Sequence, residues 1–187
     1  MKELLELLRV QRHNFANHLQ VISGLLQLKK YDRTGEYIKL VVNEFGEAGT
    51  VIRLEVPEIV YKILMADLAA GKQGITIKKA ISTSLDKGIE DGFHTAEILG
   101  EMLDIALRSL QDSNFAVKGQ VSLGIHETPE SYVFQVEFLC PEGEVGLAIT
   151  SSGVFLREEA CKIKGDLSVN ITPDSEVVFS LKVPQLI

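Results

Sequence analysis

The sequence predicts an α+β fold in two parts, a helical hairpin over residues 1–54 and an α/β sandwich over 55–187. Three observations carry this. A 3-4-3-4 stripe of apolar residues runs through the first fifty positions. Pro57 opens a stretch of different texture. Beyond it, short alternating segments are interleaved with helical ones, the pattern of one sheet with helices on one face.

The first stripe is Leu5, Leu8, Phe15, Leu19, Ile22 and Leu26, with Arg12 its polar member. That spacing suits a bundle helix. Tyr31-Asp32 interrupts it, and Asp32 is the expected N-cap of a second helix. The second stripe is Ile38, Val41, Phe45, Ala48 and Ile52. Two helices joined by a short turn make an antiparallel hairpin. With one apolar stripe per helix it cannot bury both faces alone. Two hairpins paired into a four-helix bundle solve this, so a homodimer is expected.

In the second part, Pro57 suits a helix start, with an end near Gly71. Residues 74–81 alternate like a strand. A helix is expected from Phe93 to Gln111. Strands at 120–126 and 131–139 flank the Thr128-Pro-Glu-Ser131 turn. Residues 140–151 read as a loop, followed by a helix from Gly153 to Lys164 that ends near Gly165. Strands at 166–171 and 176–183, around Pro173-Asp174, close the chain.

Composition narrows the function. The 187 residues are 45% hydrophobic and 24% charged, enough for one or two small domains with cores. The net charge of -7 argues against a nucleic-acid binder, which needs a basic surface. No run of 18 apolar residues exists, so no membrane segment is expected. Glu3, Glu6 and Arg9 break the N-terminal stretch, so it is not a signal-peptide core. Cys140 and Cys161 lack CxxC spacing and suggest a reducing, cytoplasmic setting without zinc or disulfide. Both are expected to be buried packing residues.

The chemistry concentrates in residues 12–28, RHNFANHLQVISGLLQL. His13 follows an inward position of the stripe, so it should point into solvent. Arg9, His13 and Asn17 are spaced i-4, i and i+4 and share one helix face, which Gln20 continues. A neutral imidazole offers a lone pair as nucleophile. Arginine can neutralise phosphate charge, and asparagine can hydrogen-bond an oxygen without competing for phosphorus. These residues alone also fit a solvated surface histidine.

The segment RHNFANHLQVISGLLQLKKYDRTGEYI (12–38) resembles the phosphoacceptor hairpin of the sporulation initiation phosphotransferase B family and of citrate/malate-type sensor histidine kinases. The family motif is Arg-His-Asp/Glu-hydrophobic-x-Asn-x-Leu, then a Gly-Leu-Leu-x-Leu stretch and Tyr-Asp. The resemblance implies that His13 is the phosphorylated residue. Asn17, Gly24 and Tyr31 match the pattern. The usually acidic residue after the histidine is here Asn14, which cannot act as a base. That speaks against autophosphorylation but not against transfer from an aspartyl phosphate. His18, about 140 degrees further around the helix, reads as flanking structure. His94 and His126 read as a helix-start and a strand residue, and no HxxxH or HExxH pattern suggests zinc.

The C-terminal part resembles, more faintly, the ATP-binding domain of histidine kinases. Ile98–Leu107 is similar to the Leu-Gly-Asn-Leu-Leu-Asp-Asn-Ala box, with Glu101 and Ile105 replacing both asparagines. Isoleucine cannot ligate the magnesium that the second asparagine holds in the family. The Asp-x-Gly-x-Gly motif is replaced by Cys140–Gly146, where Glu142 and Glu144 would repel a triphosphate. The Gly-x-Gly-Leu lid is missing, leaving Gly153 before the helix. Asp104, which survives, reads as a helix-surface or capping carboxylate. The ending from Lys162 to Pro184 still matches the last two strands. The resemblance thus implies a kept shape with lost nucleotide chemistry.

The reading is a dimeric histidine phosphotransferase. It passes a phosphoryl group between receiver-domain aspartates through His13, with Arg9, Arg12 and Asn17 orienting the group or the partner. No tightly bound cofactor is expected, and the receiver would supply Mg2+. Residues 9–33 carry five basic side chains against one acidic, which could steer an acidic receiver or simply be a solvated face. Two alternatives stand: the catalytic portion of an ATP-dependent sensor histidine kinase, and a non-catalytic dimer that sequesters a receiver.

Overall fold

The computed structural model describes residues 2–111, 119–140, 145–173 and 175–186. The chain divides into two compact units, Met1–Ile52 and Arg53–Ile187.

The first unit is a hairpin of α1 (Lys2–Gln27) and α2 (Tyr31–Ile52). The turn is closed by backbone bonds from Lys30 N–H to Leu25 C=O (3.0 Å) and from Lys29 N–H to Leu26 C=O (2.9 Å). Lys29 occupies the left-handed region there, at φ 54°. This is the 6→1 and 5→2 pattern that ends a helix, carried by a lysine where glycine is usual. Asp32 is not the cap of α2. The helix begins at Tyr31 and Asp32 lies in its first turn, where a carboxylate meets the positive end of the helix dipole.

Leu7 and Thr34 are buried. Most of the predicted stripe is not. Leu5, Leu8, Phe15, Leu19, Leu26, Ile38, Phe45 and Ile52 are each between 42% and 67% exposed. An apolar face this long is left unsatisfied by one hairpin. Ala48 lies outside the described side chains.

The second unit contains α3 (Pro57–Gln73), β1 (Thr76–Ile81), α4 (Gly92–Gln111), β2 (Gln120–Glu127), β3 (Ser131–Leu139), α5 (Val145–Lys162), β4 (Asp166–Ile171) and β5 (Glu176–Pro184). The strands form one sheet in the order β1-β2-β3-β5-β4. β1 runs parallel to β2, and the other pairs are antiparallel. The parallel pair is joined by a crossover through α4, as parallel neighbours require.

Alternation puts one face of every strand against the helices. Ile77, Val121, Phe138, Val177 and Ile171 form one cross-strand row, and Ile81, Ile125, Phe134, Leu181 and Leu167 another. Between them runs Lys79, Leu123, Val136, Phe179 and Val169. Lys79 is the charged member of that inner row, and its Nζ pairs with Asp67 of α3 at 2.9 Å. Helix α4 is the central helix of the layer: Ile98, Leu99, Met102, Leu103, Ile105, Ala106 and Leu107 are all buried.

Four expectations are corrected here. Helix α3 runs past Gly71 to Gln73 and is capped by Gly74, whose φ of 71° suits the left-handed cap. The region read as a loop up to 151 is helical from Val145. Gly153 does not precede a helix but sits inside α5, where a Cβ would stand 3.0 Å from Val169 Cγ2 of β4. Its glycine marks close helix–sheet approach rather than a break. Cys161 is exposed, whereas Cys140 is buried. Ala160 and Leu156 take the inward face of α5, which turns the next residue outward. Burial pushes the Cys140 thiol above its ordinary range.

Candidate functional site

The site is built on α1, an uninterrupted helix from Lys2 to Gln27. Residues four apart therefore stack on one face. Arg9, Arg12, His13, Asn14, Asn17 and Gln20 are all exposed. Of these, the structure joins His13 and Asn17 directly: the Asn17 terminal amide (Nδ2) stands 3.2 Å from His13 Nδ1. Arg9 lies one turn before His13 on the same face, and Arg12 is its neighbour along the chain. The arrangement is an open imidazole with one ring nitrogen occupied by an amide and basic side chains around it. Chemically it can offer a nucleophilic nitrogen to a bulky electrophile and neutralise anionic charge nearby.

His18 is turned the other way, into the hairpin. Its Nδ1 lies 3.0 Å from the Tyr37 hydroxyl of α2. Its ring meets Phe45 edge-on, with centroids 6.2 Å apart. Phe45 also takes the edge of Phe15 at 6.3 Å. His18 thus ties the two helices together, as flanking structure should. Sequence periodicity does not single out Tyr37, because the apolar stripe of α2 runs through Ile38. Only the helix-to-helix register reveals that Tyr37 faces His18.

In the α/β unit, the positions compared with the kinase box separate. Ile105 is buried in the core. Glu101 pairs with Arg108 on the same helix at 2.8 Å. The Asp104 carboxyl is held above the usual carboxylate range, first by desolvation and then by Glu101, against the opposing pull of Arg108 and Lys62. Lys62 of α3 is itself paired with Glu97 of α4 at 2.9 Å. Glu142 and Glu144 lie outside the described residues. His94 lies in the first turn of α4 against the capping carboxylate of Asp91, 3.1 Å from Nδ1 to Oδ2. His126 lies on β2. Among the described residues, no group of three His, Cys, Asp or Glu could hold a metal ion. None of the described helices is long and apolar enough to cross a membrane.

Comparison with known proteins places the two units separately. Residues 1–54 match the family model described as the alpha-helical domain of the SpoOB-type sensor kinases. Sporulation initiation phosphotransferase B of Bacillus subtilis (strain 168) is 37% identical over 62 residues. That match covers 33% of this chain and 32% of the relative. The catalytic domain of the histidine kinase ThkA superposes with a TM-score of 0.55 at 15% identity, covering 69% of this chain and 92% of that one. The Acinetobacter baumannii histidine kinase AdeS gives a TM-score of 0.50 at 13% identity, over 92% and 98% of the two chains. At such identities the likeness is one of fold. The chain is histidine-kinase-like: a hairpin similar to SpoOB-type sensor kinases, joined to a unit with the fold of a histidine kinase catalytic domain.

Proposed function

We propose that this protein is a histidine phosphotransferase of a two-component phosphorelay. It accepts a phosphoryl group from the aspartyl phosphate of one receiver domain onto His13 and returns it to an aspartate of a second. The observation that carries this is an exposed His13, with an amide against one ring nitrogen, on a helix similar to that of a named phosphotransferase. In the forward step the imidazole lone pair attacks phosphorus, and the acyl P–O bond breaks with its electrons leaving on the carboxylate. Little covalent machinery is needed beyond the nucleophile, since positioning and charge neutralisation carry phosphoryl transfer. Arg9 and Arg12 neutralise the transferred group or its carrier. The receiver supplies Mg2+.

The half-exposed apolar stripe of the hairpin supports a homodimer, in which two hairpins close a four-helix bundle. His13, outside that stripe, stays open to a receiver.

Likeness in fold to a solved histidine kinase favours a second reading, the catalytic portion of an ATP-dependent sensor kinase. Three residues weigh against it. Ile105 is committed to the core, Glu101 to an ion pair, and Asn14 has no carboxylate to assist attack on ATP.

The test uses the full chain with a receiver domain phosphorylated beforehand by a small-molecule donor. Acid-labile, base-stable phosphate on His13 is expected. His13→Ala should abolish it while changing stability by less than about 0.5 kcal/mol, as befits an exposed helix position. Receiver binding without phosphohistidine would favour sequestration. Label on His13 from ATP and magnesium alone would establish the kinase reading instead.

A further inference from the structure

We infer that Arg12 couples the phosphoryl state of His13 to the pairing of two copies of this chain: phosphorylation tightens the dimer, and loss of the group loosens it. The inference rests on the phosphotransferase reading and its homodimer, and adds a regulatory link between the two.

The stripe of α1 runs Leu5, Leu8, Arg12, Phe15, Leu19, Ile22 and Leu26. The spacing alternates 3 and 4 without a break, so Arg12 holds a seam position and not a flank. Its apolar neighbours Leu5, Leu8, Phe15 and Leu19 are between 51% and 57% exposed in the single hairpin. The α2 stripe, Ile38, Val41, Phe45, Ala48 and Ile52, offers no countercharge. Arg12 is itself exposed, and among the described residues none pairs with it.

When two hairpins close a bundle about a two-fold axis along it, equal layers meet, and both copies of Arg12 fall in one layer. Two like charges then share an apolar seam, where the low dielectric strengthens their repulsion. A polar residue at one seam position specifies register at a cost in stability. Here that cost depends on the next residue. His13 lies outside the stripe and open to solvent. A phosphoryl group on it sets strong negative charge beside Arg12. The guanidinium can leave the seam along its own aliphatic stem and meet that group with its head in water. Phosphorylation thus replaces a repelling pair of seam cations by two cation–phosphate pairs, one in each copy. The coupling is reciprocal: the dimer holds the phosphoryl group more firmly than a separated hairpin, and giving it to a receiver loosens the pair.

The experiment measures subunit exchange of the full chain. One batch carries a donor dye and another an acceptor dye on the exposed Cys161, while Cys140 is buried. Energy transfer grows as mixed dimers form, so its rate reads dissociation, where affinity differences mostly lie. Phosphoramidate modifies His13 beforehand, its P–N bond breaking and ammonia leaving as the imidazole–phosphorus bond forms. Exchange should slow by roughly fivefold or more, the lower edge of ordinary coupling between sites. His13→Ala treated alike should show no slowing. Arg12→Leu completes the apolar stripe: it should exchange more slowly than wild type before treatment and slow no further after it. Arg12→Lys keeps a cation on a flexible stem and should keep the response. Unchanged or faster exchange of phosphorylated wild type, or slowing by phosphorylation in Arg12→Leu, overturns the inference and leaves the phosphotransferase reading intact. Phosphohistidine without energy transfer at any concentration overturns the homodimer as well. No phosphohistidine at position 13, from phosphoramidate or from a phosphorylated receiver, overturns the phosphotransferase reading itself.

Discussion

His18 Nδ1 and the Tyr37 hydroxyl, 3.0 Å apart, join the two helices of the hairpin five residues along from the outward-facing His13. Two histidines on one helix thus face opposite ways, one into solvent and one into the hairpin. Tyr37→Phe removes one partner of that bond and keeps the ring. Thermal unfolding should show a loss of about 1 kcal/mol, the usual net value of such a bond. Transfer to His13 should persist in the folded protein. An unchanged midpoint would show that the bond does not stabilise the hairpin.

Lys29 closes the hairpin turn at φ 54°. A side chain in that conformation costs on the order of 1 kcal/mol that glycine does not incur. Lys29→Gly should therefore raise the free energy of unfolding by about 1 kcal/mol, less glycine's own entropic cost. Denaturant titration against the wild type reads it directly.

Gly165, between α5 and β4, has no room for a methyl group. A Cβ there would lie 2.9 Å from the Lys182 carbonyl oxygen and 3.3 Å from that of Ala160. Both are backbone atoms and neither can swing aside. Gly165→Ala should cost about 1–3 kcal/mol, in the range for overpacking. Urea unfolding followed by a probe in the α/β unit would detect it.

Asp104 gives the α/β unit a pH dependence of defined sign. Its folded-state proton affinity is raised by burial and by Glu101. The folded state therefore binds the proton more tightly than the unfolded chain. Stability should fall as pH rises from the ordinary aspartate range through the raised value, and then level off. Asp104→Asn should remove that component. A variant with the same slope as wild type would assign the effect to another group.

Residues 9–33 carry five basic side chains and one acidic in a protein of net charge -7. If this stretch meets an acidic receiver, the bimolecular rate of transfer should fall steeply with added salt. Lys29→Glu with Lys30→Glu should slow association further while leaving phosphoramidate labelling of His13 unchanged. A salt-independent rate would mark these residues as a solvated face.

Periodicity sufficed for the hairpin, the one-layer sheet and the outward direction of His13, because each depends on which residues repeat along a single element. It misplaces the start of α5, because Gly153, taken as the first residue of the helix, lies inside it at a point of close approach to Val169. The outward Cys161 escaped for a related reason, since composition says how often a cysteine is buried but not on which side of a helix it falls. Local spacing likewise placed Asn17 beside His13, four residues on in one continuous helix. The pairing of His18 with Tyr37, the burial of Ile105 and the raised carboxyl of Asp104 needed the tertiary structure. Each depends on atoms brought close by the packing of separate turns or helices, and distance between elements is not written in the order of residues along either one.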